Sequence, residues 1–122
     1  MEDPIQTLEG HIYDVTSLCL LTDGTLASSG DKTIKIWDTS SGTCIKTLQG
    51  HTDIVNSLCL LTDGTLASGS GDETIKIWDT SSGTCIKTLQ GHTRRVNSLC
   101  LLTDGTLASG STDYTIKIWE EF

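Results

Sequence analysis

GDETIKIWDTSSGTCIKTLQGH (Gly71–His92) occurs almost unchanged at Gly30–His51, and its first half returns as TDYTIKIWEEF near Phe122. Two kinds of residue mark the repeat, with a spacing of 40 or 41 positions: the histidines His11, His51 and His92, and the tryptophans Trp37, Trp78 and Trp119. The first unit is one residue shorter, since LASSGD stands where the second unit has LASGSGD. A period of this length predicts stacked units that cannot bury their own faces alone.

Composition favours an ordered chain with many tight turns. The chain has 122 residues, 12 of them glycine and one proline, and a net charge of −8. This charge argues against nucleic acid or an anionic membrane as a partner. No stretch approaches the roughly 20 apolar residues of a membrane span, and the first residues lack the apolar core of a signal peptide. We therefore expect a cytoplasmic protein.

The second unit predicts four short strands separated by turns: Val55–Leu61, Leu66–Ser70, Thr74–Asp79 and Cys85–Gln90. Asp63-Gly64 between the first two is a strong hairpin signal. A four-stranded sheet with two apolar faces needs a neighbour on each face. The repeat therefore favours radially stacked sheets over a sandwich.

The Gly-His pair, the turn aspartate and the terminal Trp-Asp resemble the WD40 repeat family from about Ile5 to Trp119. The chain departs from that pattern at Trp119-Glu120 and in the shortened LASSGD. The resemblance implies an all-β fold of three four-stranded antiparallel propeller blades. We assign residues 5–9 to a clasp strand, 10–49 to the first blade unit, 50–90 to the second and 91–122 to the third, which lacks its own outer strand. All of 1–122 is then one three-blade segment.

The resemblance also implies a hydrogen-bonded relay in each blade. In it a histidine links the turn aspartate to a strand serine and the tryptophan. Carried over, the three sets are His11, Asp31, Ser28 and Trp37; His51, Asp72, Ser68 and Trp78; and His92, Asp113, Ser109 and Trp119. Imidazole can donate and accept while indole only donates, so the chemistry of the set is consistent.

A catalytic interpretation and a metal-binding interpretation of these residues are both weaker than the structural relay. A Ser-His-Asp triad would have to recur three times, end on a buried indole and work without an evident oxyanion hole. A metal site on three histidines about 40 residues apart has no second ligand nearby in sequence. The five cysteines sit at repeat-equivalent positions, which favours packing over metal binding or disulfides. We expect no enzyme and no cofactor.

Variation between the units lies just after Gly-His and beside the turn aspartate. In a WD40-like blade both segments reach one face of the ring, the top. The candidate binding residues there are Tyr13, Asp14, Thr16, Lys32, Asp53, Ile54, Asn56, Glu73, Arg94, Arg95, Asn97 and Tyr114. One hypothesis is a scaffold that binds a protein or peptide on this top face. The alternative is a recently amplified or engineered set of blades that only self-assembles, with drift at exposed turns.

Three blades are too few to close a ring, because each would have to turn 120° from the next, whereas propellers have about four to eight blades. The fourth-type strand Ile5–Glu9 and the third-type strand Thr115–Glu120 each lack a partner. We predict a clasp between chains formed by Ile5, Gln6, Thr7, Leu8, Thr115, Ile116 and Ile118. The ring is then a homo-oligomer: a homotrimer of nine blades is favoured, with a homodimer of six second.

Overall fold

The computed structural model describes residues 3–120, which form eleven strands in three sheets. Blade 1 contains β1 (Ser17–Leu20), β2 (Leu26–Ser29), β3 (Ile34–Asp38) and β4 (Thr43–Leu48). Blade 2 contains β5 (Val55–Leu60), β6 (Leu66–Ser70), β7 (Ile75–Asp79) and β8 (Thr84–Leu89). Blade 3 contains β9 (Val96–Leu101), β10 (Leu107–Ser111) and β11 (Ile116–Trp119).

Each sheet is antiparallel, with its strands in chain order. The first hairpin of every blade turns at an Asp-Gly pair. In blade 2, Asp63 accepts hydrogen bonds from the amide and hydroxyl of Thr65 at 3.0 and 2.6 Å, and Gly64 adopts a φ of +87°. Side chains rarely tolerate that backbone conformation, which explains the glycine. The Asp-Gly hairpin predicted from sequence is therefore present.

The hydrophobic core lies between blades and is built twice from equivalent residues. Between blades 1 and 2 it includes Ile34, Leu48 and Leu58, all buried. Between blades 2 and 3 the equivalent positions are Ile75, Leu89 and Leu99, the last of them half-buried. The stacking of sheets expected from the repeat is observed for three blades.

The segment Ile5–Glu9, predicted to form a clasp strand with a neighbouring chain, has no strand structure in the single chain, and the clasp between chains stays a prediction. A strand needs a hydrogen-bonded neighbour, and β11 pairs only with β10 among the described residues. Of the four strands predicted in the second unit, Leu66–Ser70 has the predicted bounds, and the other three differ by one residue at one or both ends; the strand expected at Cys85–Gln90, for example, is Thr84–Leu89. Within residues 3–120 no helix has the length and apolar character needed to cross a bilayer.

Candidate functional site

The relay of blade 2 is a continuous chain of hydrogen bonds from the core to the top of the blade. Trp78 Nε1 donates to Ser68 Oγ at 2.8 Å, and Ser68 Oγ lies 2.7 Å from His51 Nε2. On the other side of the ring, His51 Nδ1 lies 2.8 Å from Asp72 Oδ2. A neutral imidazole with its proton on Nδ1 satisfies every member: the indole donates to the serine, the serine to the histidine and the histidine to the carboxylate.

The electrostatics of blade 2 agree with a neutral histidine and a charged aspartate. Burial lowers the pKa of His51 below its ordinary value of 6.5, and this outweighs the attraction of Asp72. Burial raises the pKa of Asp72, but hydrogen bonds from Thr74, His51 and Thr52 outweigh it and bring that pKa to about 2. The carboxylate therefore stays ionised while held in the blade.

Blade 3 repeats this arrangement. His92 Nδ1 lies 2.8 Å from Asp113 Oδ2 and His92 Nε2 lies 2.7 Å from Ser109 Oγ. Trp119 Nε1 donates to Ser109 Oγ at 2.9 Å. Hydrogen bonds from Thr115, His92 and Thr93 likewise lower the pKa of Asp113, against a smaller opposing effect of burial.

Blade 1 does not complete the relay, which corrects the predicted link between His11 and Asp31. His11 Nε2 lies 2.6 Å from Ser28 Oγ, and Trp37 donates to the same oxygen at 2.8 Å. His11 Nδ1, however, is 3.7 Å from Asp31 Oδ2 and is buried without a hydrogen-bond partner. The reason is the missing residue: Asp31 follows Ser28 by three positions, whereas Asp72 follows Ser68 by four.

Threonines two residues after each aspartate belong to the site, although sequence reasoning missed them. Thr33, Thr74 and Thr115 donate their hydroxyls to the aspartates of their own blades at 2.6, 2.6 and 2.5 Å. The signal was available in the sequence, because Asp-x-Thr occurs at the same place in all three units. These bonds hold the carboxylate even in blade 1.

The buried relay leaves no room for hydrolytic chemistry. Ser68 and Ser109 are buried, and their hydroxyls are already engaged by a histidine and a tryptophan. A nucleophile must reach a substrate, so these serines are structural. Among the described residues no group of three or more His, Cys, Asp or Glu side chains could hold a metal ion, and all five cysteines are free.

The top-face candidates fall into neighbouring pockets. Tyr13, Asp14 and Thr16 of blade 1 share a cavity of about 240 Å³ with Ile54 of blade 2. Lys32 lies on the outer side of blade 1, where it lines a cavity of about 470 Å³ together with Tyr13. Blade 1 thus meets blade 2 through an acid and an aromatic ring.

Opposite charges line the cavity between blades 2 and 3. Asp53 and Glu73 line a cavity of about 230 Å³ together with Arg94 and Arg95. The same arginines and Tyr114 line a second cavity of about 370 Å³ on blade 3. The clustering of Arg94, Arg95 and Tyr114 that the sequence suggested is present.

Two of the top-face candidates form hydrogen bonds to the next blade. Thr16 Oγ1 donates to the backbone oxygen of Val55 at 2.6 Å, and Asn56 Nδ2 donates to that of Val96 at 3.1 Å. Asn97 occupies the equivalent position in blade 3 and is exposed. The sequence could not separate these linking residues from a binding surface, because both lie just after Gly-His.

The predicted clasp residues lie at the two ends of the arc. Ile116 and Ile118 lie in β11, and Thr115 precedes it and binds Asp113. Ile5, Gln6, Thr7 and Leu8 precede blade 1 without strand structure. The structure of one chain does not bring the two groups together.

Repeated four-stranded sheets that pack face to face around an arc define a β-propeller architecture. The family described as "WD domain, G-beta repeat" matches residues 2–38, 42–79 and 83–120. The chain therefore belongs to the WD40 repeat family, whose members are generally non-catalytic scaffolds that bind other proteins.

Relatives of known identity share single repeats with this chain. The vegetative incompatibility protein HET-E-1 of Podospora anserina is 60% identical over 40 residues, which is 31% of this chain and 3% of that protein. Mitochondrial division protein 1 of Sclerotinia sclerotiorum is 40% identical over 47 residues, which is 38% of this chain and 7% of that protein. The chain thus covers less than a tenth of these relatives.

Among solved structures, the WD40 β-propeller domain of Doa1 superposes with a TM-score of 0.90 at 27% sequence identity. The match covers 97% of this chain and 40% of that chain. The three blades are therefore arranged like part of a longer propeller.

Proposed function

We propose that this protein is a non-catalytic scaffold that assembles head to tail with copies of itself into a closed β-propeller and presents its top face to a protein or peptide. The observation that carries the proposal is that both exposed end faces repeat the residues buried between blades. We also propose a cytoplasmic location, where free cysteines such as these five stay reduced.

The leading face, defined as the open face of blade 1, is apolar and uncovered. Leu18 is 62% exposed, while its equivalent in blade 2, Leu58, is 7% exposed because blade 1 covers it. Val15 and Leu20 are exposed on the same face. Exposed apolar patches of this kind mark interaction surfaces.

The trailing face, defined as the open face of blade 3, exposes apolar side chains that the following blade covers in blades 1 and 2. Ile116 is 75% exposed, whereas the equivalent Ile34 and Ile75 are both fully buried by the following blade. Ile118 is exposed in the same way. The trailing face therefore has the surface that a blade 1 would cover.

Polar groups at the two end faces match as well as the apolar ones. In both inner joints a serine hydroxyl accepts from the backbone of the next blade: the pairs are Ser17 with the Leu58 amide and Ser57 with the Leu99 amide, each at 3.2 Å. Ser98 is the next member of this series and is exposed. In the assembled ring it accepts from the Leu18 amide of a second copy.

Residues before blade 1 already occupy the place of an outer strand. A Cβ at Gly42 would lie 2.9 Å from Gln6 Nε2 and 3.5 Å from Leu8 Cδ2. In the next blade, a Cβ at Gly83 would lie 3.2 Å from Lys46 Cδ and 3.5 Å from Leu48 Cδ2. The segment thus packs on blade 1 as β4 packs on blade 2.

A second copy supplies the missing hydrogen-bonding edge for that segment. In blade 1, Ile34 lies opposite Leu48 and Lys35 opposite Thr47 in the pairing of β3 with β4. The same register places Ile116 opposite Leu8 and Lys117 opposite Thr7 of a neighbouring copy. Lys35 Nζ donates to Thr47 Oγ1 at 3.2 Å, and the Lys117–Thr7 pair reproduces that bond.

Ring size follows from the number of blades per chain. Since the arc superposes on 40% of a solved propeller chain, its curvature belongs to a ring of more than three blades. A trimer of nine blades is our first choice because it avoids crowding the innermost strands. A dimer of six blades, which loses less association entropy, is the second.

Top-face binding is the second half of the proposal and rests on the pockets lined by Arg94, Arg95 and Tyr114. Arginine and tyrosine are enriched at binding hot spots. Self-assembly with no outside partner is the second candidate function, favoured by the near identity of the three units.

Light scattering after size exclusion tests the assembly, with Leu8→Lys as the decisive variant. Its equivalents Leu48 and Leu89 are buried, so the lysine should disrupt the joint and yield smaller species. Ile5→Lys is the matched control, because its equivalents Ile45 and Ile86 remain about half exposed. The paired substitution should behave like Leu8→Lys.

A stable folded monomer of the unmodified chain would overturn the assembly, and a dimer would overturn the choice of a trimer. A ring of unchanged mass and stability in the Leu8→Lys variant would place the joint elsewhere. For the top face, a ligand whose affinity survives alanine at Arg94, Arg95 and Tyr114 together would exclude this site.

A further inference from the structure

The residues that differ between the three blades give the two ends of the chain opposite charge. Asp14 lies on the top of blade 1, at the leading face, and is exposed. Arg94 and Arg95 lie on the top of blade 3, at the trailing face, are exposed, and are the only arginines of the chain. The rest of these blades is nearly identical, so on the top of the molecule these charges distinguish blade 1 from blade 3.

The pocket between blades 1 and 2 shows which top-face positions meet across a joint. It brings Asp14 of blade 1 together with Ile54 of blade 2. Asp14, Ile54 and Arg95 occupy the same position in blades 1, 2 and 3. At the joint between chains, Arg95 of blade 3 therefore takes the place of Asp14, and Asp14 of the following copy takes the place of Ile54. The joint between chains therefore places Arg95 beside Asp14.

The pocket between blades 2 and 3 leads independently to the same pair of groups. There Asp53 of blade 2 and Arg95 of blade 3 line the same cavity. At the next joint, Arg94 of blade 3 takes the place of Asp53, and Asp14 of the following copy takes the place of Arg95. Two different pockets thus converge on one carboxylate between two guanidinium groups.

We propose that Asp14 of one copy binds Arg94 and Arg95 of the next, so that this ion cluster fixes the head-to-tail direction and register of the ring. The inference rests on the proposed self-assembly and names the contact that makes it specific. Pairing of two leading faces or of two trailing faces would bring like charges together, which disfavours wrong partners.

Exposed apolar groups around the same place support a second copy as the occupant. Tyr114 is fully exposed in the single chain, and Ile12 and Tyr13 are also largely exposed. The pocket between blades 2 and 3 has a counterpart at the joint between chains. There Tyr114 takes the place of Glu73. Ile12 and Tyr13 of the following copy take the places of Thr93 and Arg94. The joint thus covers one aromatic ring with another beside the ion cluster.

Charge reversal tests the inference in the assembled protein. Asp14→Arg should raise the dissociation constant of the ring about tenfold or more at low salt, because it places three cations together. Arg95→Asp should weaken the ring in the same direction. The double variant restores an opposite-charge contact and should return the constant to within about threefold of the unmodified chain. Sedimentation velocity over a dilution series measures each constant, and high salt should reduce the differences.

Glu73→Arg is the matched control, because it makes the same change of charge and faces the same arginines from inside the chain. It should not weaken the ring. The ion cluster would be overturned if the effects of the two single variants on the dissociation constant simply added in the double variant. It would also be overturned if each single variant had the dissociation constant of the unmodified chain. Either result would leave the arginines free to bind an outside partner. In that case the unmodified chain still forms rings and the proposed assembly stands, whereas a monomeric unmodified chain would overturn both.

Discussion

In blade 2 both nitrogens of His51 are hydrogen-bonded, whereas in blade 1 His11 uses only one. Each histidine follows a glycine, and its Nε2 bonds a serine hydroxyl that also accepts a hydrogen bond from the tryptophan of that blade. The difference lies on the aspartate side, where the distance from Nδ1 to the carboxylate is 2.8 Å in blade 2 and 3.7 Å in blade 1.

Loop length explains this difference, and the position of the blade does not. Blade 3 has a free face like blade 1, yet its relay is closed with the same 2.8 Å contact as in blade 2. In blades 2 and 3 the extra residue forms a turn that places Glu73 and Tyr114 at φ values of +76° and +72°. Lys32 in the shorter turn has no such conformation. The length of one turn therefore decides whether a buried histidine is satisfied.

Removal of the histidine should affect blade 2 most. His51→Ala removes one donor to Asp72 and the acceptor of the Ser68 hydroxyl, both in a buried site, and should lower the free energy of unfolding by about 1–3 kcal/mol. Asp72→Ala should cost a similar amount, and the double variant should cost less than the sum because both remove one contact. His11→Ala should cost less, since His11 makes no bond to Asp31. Urea unfolding at fixed protein concentration compares the variants, because an assembling protein's stability depends on concentration.

Losses below about 0.5 kcal/mol for both His51→Ala and Asp72→Ala would remove the relay as a source of stability. Strictly additive losses in the double variant would show that the two residues act separately. An effect of His11→Ala equal to that of His51→Ala would mean that the 3.7 Å gap has no energetic consequence.

Changing the loop length tests the cause directly. Insertion of glycine between Ser28 and Ser29 gives blade 1 the LASGSGD sequence of blade 2 and should close the bond from His11 to Asp31. The expected gain is about 1 kcal/mol, the net value of a buried hydrogen bond. Deletion of Gly69 makes the reverse change in blade 2 and should cost a similar amount. Thermal unfolding measures both, and a destabilising insertion would show that blade 1 has adapted to its shorter turn.

The repeat spacing predicted stacked sheets, and the resemblance to WD40 repeats implied the relay on residues at equivalent positions of each unit. The sequence also located the missing residue near Ser28 and Ser29. It did not predict the orphaned nitrogen of His11, because that depends on a displacement of about 1 Å that spacing alone does not encode. The clasp strand at Ile5–Glu9 was predicted from its likeness to β4, with its pairing edge in a neighbouring chain, and that pairing stays a prediction.

Acid titration tests the relay of blade 2 from the side of the aspartate. Asp72 has a pKa of about 2 in the folded chain against an ordinary value of 3.8. A carboxyl with a lowered folded pKa contributes stability above its ordinary pKa, and that contribution is lost as the pH falls from about 4 towards 2. His51 acts in the same direction at higher pH, because its folded pKa lies below 6.5 and protonation of the unfolded chain draws the equilibrium towards unfolding.

Carboxyl-carbon NMR should report the low pKa of Asp72, and in His51→Ala that pKa should rise towards 3.8 because one donor is lost. Since that variant lacks the contribution of His51 and part of that of Asp72, its stability deficit relative to the unmodified chain should shrink as the pH falls. An Asp72 that titrates at its ordinary pKa in the unmodified chain, or a deficit that grows in acid, would contradict the hydrogen-bonded pair.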